Sequence, residues 1–217
     1  MANSPVKLCT CPVEAIIPSI PLAQCTESFG QVLKFGLANK NTQLFDDTGG
    51  AGPNPIDEIG SWNAALTAGD DTKVQLTPIL SDVLLAANSP INVGGDDNTT
   101  PDGVPVLRAR TSAQGTAIMR DITAAVKVAL QEYECYAGSD NIGGIYLMGR
   151  DFVVAVESAT DVYKPIPLTY FFVGDKGLGG ITETNNTNLE FRLPSNWDTN
   201  IKVVPITAFD PIELQNP

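Results

Sequence analysis

There is no histidine among the 217 residues of this chain. That absence removes Ser-His and Cys-His nucleophile pairs, histidine-ligated zinc and histidine general bases. Charge is sparse, at 18% of residues, and no segment concentrates the 13 Lys and Arg. The clustered positive charge of a nucleic-acid footprint is therefore missing. No apolar run approaches the ~20 residues of a membrane-spanning helix. Leu22-Ala23-Gln24-Cys25 has the outline of a lipoprotein cleavage box. Gln24 stands where a small residue is needed, however, and Glu14, Pro18 and Pro21 interrupt the apolar stretch. A soluble protein without a signal peptide, and with no membrane partner, is expected. Cysteine is limited to Cys9, Cys11, Cys25 and Cys135. Their spacing is not that of a zinc knuckle, which leaves buried thiols or one disulfide.

What the chain does have is apolar residues, at 43%, and a surplus of acid: 25 Asp and Glu give a net charge of −12. A chain of this length and composition can bury one sizeable core. An acidic surface repels phosphates; it is unsuited to gripping DNA but suits a wall past which DNA slides.

Residues 1–25 carry Pro5, Pro12, Pro18 and Pro21 and read as an extended arm whose Ile16, Ile17, Ile20 and Leu22 need a surface to lie on. Residues 26–217 read as one domain with long loops at about 45–56 and 86–104. Thr26 is placed to cap a short helix bearing Phe29, Val32 and Leu33. Ile59, Trp62, Ala65 and Leu66 have helical spacing. Strands are expected at Lys73–Leu76, Ile79–Leu85 and Val104–Arg110. The stripe Ile118, Ile122, Ala125, Val126, Ala129, Leu130 and Tyr133 predicts one long helix over about 117–136. Beyond it, 144–148 and 152–156 flank a turn at Gly149-Arg150-Asp151, and further strands cover 167–173, 188–193 and 201–207. The fold class is thus α+β, mainly β: an antiparallel sandwich or partly open barrel with one long flanking helix.

Two glycine-rich loops invite ligand readings. In Gly94 to Pro105, placing Gly103 at the invariant glycine of an EF-hand loop puts Asn98, Thr100 and Asp102 at ligand positions, but Ala109 where the bidentate Glu is required. The pairs Asp46-Asp47, Asp70-Asp71 and Asp96-Asp97 read instead as turns whose side chains bond local backbone. Gly174 to Gly180 lacks the Lys-Ser/Thr ending of a phosphate loop. No catalytic, cofactor-binding or metal-binding residue can be named, and an enzyme is not expected. Trp197, with Tyr163 or Tyr170, is a candidate sugar platform, set against the plainer reading of a loop aromatic packed on the sheet end.

Three stretches carry a resemblance: GGDDNTTPDGVPV, YFFVGDKGLGG and NLEFRLPSNWDTNIKVVPITAFDPI. Over roughly residues 75–213 the chain resembles virion structural proteins of tailed bacteriophages, the tail tube type in particular. The resemblance implies a two-sheet sandwich, rings of six subunits that stack around a DNA-conducting channel, and loops and arms that bridge subunits. It further implies a subunit made in the host cytoplasm and built into the virion tail, with itself and other virion proteins as partners and DNA as passing cargo. On this reading Gly94, Gly95, Asp96, Asp97, Asn98, Thr99, Thr100, Pro101 and Asp102 form an inter-subunit loop, and Ile16, Ile17, Ile20 and Leu22 make arm contacts. The Cys-rich start departs from the family's pattern. A capsid decoration or head-fibre protein and a carbohydrate-binding β-sandwich module are the alternatives.

Overall fold

A computed structural model describes residues 30–39, 45–46, 54–95, 103–135, 143–178 and 184–217. The expected arm over 1–25 lies outside them. The chain divides into two compact units, one made of residues 29–89 with 111–217 and the other containing 90–110.

The larger unit is mainly β, with antiparallel sheets and a curled half-barrel. Its strands are β1 (Lys34–Ala38), β2 (Phe45–Asp46), β3 (Gln75–Leu76), β4 (Leu80–Leu85), β7 (Ala113–Arg120), β8 (Gly144–Met148), β9 (Phe152–Ala159), β10 (Val162–Lys164), β11 (Ile166–Pro167), β12 (Tyr170–Gly177), β13 (Asn186–Leu193) and β14 (Ile201–Pro205). The larger sheet runs β2-β10-β9-β8-β1-β3, with β14 added to β9 and β11 to β8. The expected turn after β8 is present, closed by Gly149 N–H donating to the Phe152 carbonyl at 2.9 Å. β8 and β9 pair only beside that turn, Leu147 with Val154 and Met148 with Val153. Further along, β10 pairs with β9 and β11 with β8, filling the wedge between them. The second sheet runs β12-β13-β7-β4.

Burial explains which residues form which sheet. β7 and β13 alternate buried and exposed positions, so one face packs inward and the other meets solvent. β1 and β8 are buried at every position, because the larger sheet is covered on both faces. One core joins the sheets through Phe35, Leu37, Ile145, Val154, Phe171, Leu189 and Phe191. The other lies on the opposite face of the larger sheet, where Tyr146, Tyr163 and Phe45 meet Trp62 and Leu66 of helix α1 (Ile59–Thr67). The Trp62 indole donates to the Ile56 carbonyl at 2.8 Å, so its polar atom is satisfied within an apolar setting. Each of these large side chains contributes roughly 1.5–3 kcal/mol by burial.

The long helix over 117–136 is not formed. Residues 113–120 are strand β7; Asp121 turns the chain at φ 49°; and helix α2 spans only Ala124–Glu132, followed by a 3-10 turn at Tyr133–Cys135. The physical reason is period two: Ala113, Gly115, Ala117 and Met119 face the core, whereas Ile118, read as part of a helical stripe, sits on the solvent face. The start of α2 is set by Thr123, whose hydroxyl accepts from the Val126 N–H. The short helix expected from Thr26 is corrected over its described part: Val32 and Leu33 run without helix into β1, and the Leu33 carbonyl accepts from the Leu80 N–H.

Candidate assembly surface

Within the span expected as a loop at 86–104, Pro90–Val93 forms strand β5, paired antiparallel with β6 (Val106–Arg110). This ribbon is the described part of the smaller unit. Every position in both strands is exposed. Ile91, Val93, Val104, Val106 and Leu107 are 38–57% exposed. Val93 lies opposite Val106 and Ile91 opposite Ala109, and partners across a ladder share a face, so an apolar strip runs along one side. A bulge follows: Asn92 pairs with Leu107 and Ile91 with Ala109, leaving Arg108 with no cross-strand partner.

The root of the ribbon is clamped. Thr111 N–H donates to the Ser89 carbonyl at 2.9 Å, and Ser89 N–H donates to the Thr111 hydroxyl at 2.8 Å. Towards its tip, Gly94 and Gly95 take φ of 76° and 116°, which a residue with a side chain rarely adopts. Of the predicted inter-subunit loop these two glycines are described; Asp96, Asp97, Asn98, Thr99, Thr100, Pro101 and Asp102 lie outside the described residues, as do Ile16, Ile17, Ile20 and Leu22. The apolar residues of the ribbon were not identified from sequence as a contact surface. Their signal was alternation at Ile91 and Val93 and again at Val104 and Val106.

The solvent face of the four-stranded sheet is a second exposed surface. Tyr170 and Phe172 project from β12, and the Arg192 guanidinium stacks on Tyr170 at 5.1 Å from the ring centre. Glu190 pairs across from Phe172, and Arg120, bridged to Asp82 at 3.5 Å, lies at the far end of β7. Charges on this face nearly cancel, so the chain's acidic surplus is carried elsewhere. The outer edge of β12 is fastened where Val173 N–H donates to the Glu134 carboxylate at 2.8 Å and where Lys127 meets Asp175 at 2.6 Å. Hydrogen bonding and attraction from Lys127 hold the Asp175 carboxyl below its ordinary range. Tyr163 is fully buried and is not a sugar platform; Trp197 is partly buried against the main core.

The C-terminal segment is held by buried polar chemistry. The Lys34 ammonium donates to the Ile212 carbonyl at 2.7 Å and the Leu214 carbonyl at 2.6 Å. Burial lowers the Lys34 pKa, and Asp210 partly offsets this. The Asn216 side chain pairs with both backbone groups of Leu76, as a strand would. Of the Asp pairs, Asp70 behaves as a turn residue, accepting from the backbone and hydroxyl of Thr72, whereas Asp46 lies in strand β2 and accepts from the Asn54 N–H.

No protein-family model, curated protein or solved structure matches this chain.

Proposed function

We propose that the protein is a self-assembling structural subunit, and that the β5–β6 ribbon is the element by which one copy holds another. The exposed ribbon carries this reading. A two-stranded hairpin is marginal by itself, and an exposed apolar strip gains stability when a partner buries it. Among the described residues β5 and β6 pair with no other strand, and such edges offer further pairing. Together with the resemblance to tail tube proteins, this supports a virion subunit of that type. In this proposal rings, six-fold in that family, stack around a channel through which DNA passes. A capsid decoration or head-fibre role uses the same ribbon and differs in assembly geometry. Negative-stain microscopy with sedimentation of the purified chain tests the reading. Rings or tubes that grow with concentration support it; a strictly monomeric species at high concentration contradicts it.

The exposed Tyr170 and Phe172 favour one second reading, a carbohydrate-binding sheet face with Arg192 and Glu190 as polar partners. Glycan-array binding lost in Tyr170→Ala supports it, and silence across glycans removes it.

A further inference from the structure

Lys34 is a buried cation held by neutral groups. It is 6% exposed, and its ammonium donates to the carbonyls of Ile212 and Leu214. An ammonium carries three protons, and the third has no acceptor among the described residues. Asp210 is near enough to favour the charged form, yet its two oxygens are engaged by Arg150 at 3.4 Å and by the Ile212 N–H at 2.9 Å. Lys34 therefore enters no ion pair among the described residues. A buried charge without a paired counter-charge is costly, and an arriving anion relieves that cost.

Lys34, Ile212 and Leu214 all line one cleft of about 320 Å³, which places the ammonium and its two carbonyls in the wall. Leu76, Pro78, Ile79 and Val126 give that wall an apolar majority, and Ile79, at 60% exposure, marks the mouth. The remaining polar lining is uncharged. Thr77 accepts from the Phe35 N–H, Asn216 is paired with the Leu76 backbone, and Gln215 is exposed. No Asp or Glu lines the cleft, on a chain whose net charge is −12. Asp210 and Glu213 of the same segment line a separate hollow beside Ile59 and Asn63. Mostly apolar walls with one placed charge are the usual makeup of a small-molecule site.

We propose that this cleft binds a small aliphatic monocarboxylate, its carboxylate accepting from Lys34 and its hydrocarbon tail lying on Leu76, Ile79 and Val126. The ammonium selects an anion, and the apolar wall selects one with a hydrocarbon tail over a phosphate or sulfate, which has no apolar part. The site makes no use of the β5–β6 ribbon, so it stands or falls apart from the assembly reading.

Isothermal titration calorimetry on the full chain at neutral pH compares decanoate, decanol and decylammonium, equal in tail length and different in head-group charge. Decanoate is expected to bind about tenfold more tightly than decanol, the worth of a charge-assisted hydrogen bond, and decylammonium least tightly. Ile79→Glu, a change at an exposed position, is expected to cost decanoate about tenfold and leave decanol unchanged, whereas Ile79→Lys does not weaken decanoate. Lys34→Met brings decanoate down to the affinity of decanol. Hydrogen exchange over residues 206–216 checks that the wall keeps its place in that variant; where it does not, the two Ile79 variants decide. Equal affinity for decanoate and decanol, binding of neither, or a decanoate affinity untouched by Ile79→Glu overturns the proposal.

Discussion

The ring of Phe191 lies against Gly115, its partner across β13 and β7, so closely that a Cβ at residue 115 would come within 2.2 Å of the ring. The same ring meets Phe35 edge-on at 5.0 Å between centres, tying the two sheets together. Residue 115 thus sets how closely the sheets approach.

Gly115→Ala is expected to destabilise the fold by about 1–3 kcal/mol, since the ring must leave its place in a packed core. Urea denaturation measures this. A change within experimental error would show that Phe191 has room to move.

Lys34→Met keeps the volume and removes the donors to Ile212 and Leu214. A loss of about 2 kcal/mol is expected, with hydrogen exchange rising across 206–216 before the sheets open. The pH dependence has a definite sign. Burial puts the folded-state pKa of Lys34 below 10.5, so the folded state binds fewer protons than the unfolded one between those values. Stability from this group therefore rises with pH across that window, and the rise is absent in the methionine variant.

Tyr146 is fully buried, and its hydroxyl has no partner among the described residues. Tyr146→Phe is expected to stabilise the fold by about 1 kcal/mol. Burial raises the phenol well above its ordinary pKa of 10.0. Its contribution is thus complete below pH 10 and is lost as pH rises towards the folded-state value. Thermal melts from pH 8 upward should show a shallower alkaline decline in the phenylalanine variant. Parallel curves would mean that the hydroxyl is already satisfied.

Period-two strands were legible where one face meets water. Leu189, Phe191 and Leu193 alternate with Glu190 and Arg192 in sequence and in burial. Helix α1 was legible because Trp62, Ala65 and Leu66 fall on one face. β7 was misread because Ala117 is a good helix former, and because Ile118 and Ile122 fit a helical stripe across the Asp121 turn. The covering of the larger sheet on both faces was hidden as well: Lys34 opens β1 and looks exposed until the C-terminal carbonyls that receive it are in place. β5 escaped notice because four residues led by proline, with no buried face, carry little strand signal. The candidate contact residues were the least legible. Ile91, Val93 and Val106 are ordinary core residues by type, and only their exposure in the folded chain sets them apart.

The most direct measurement removes the ribbon alone. Ser89 and Thr111 are already joined by two hydrogen bonds, so replacing residues 90–110 with Asn-Gly closes the chain at a position that is paired in the native fold. Sedimentation velocity and negative-stain microscopy then compare the shortened and full chains at equal concentration. The expected result is rings or tubes from the full chain and a folded monomer from the shortened one. Assemblies of the same size and abundance from both would contradict the claim that this ribbon joins one copy to the next.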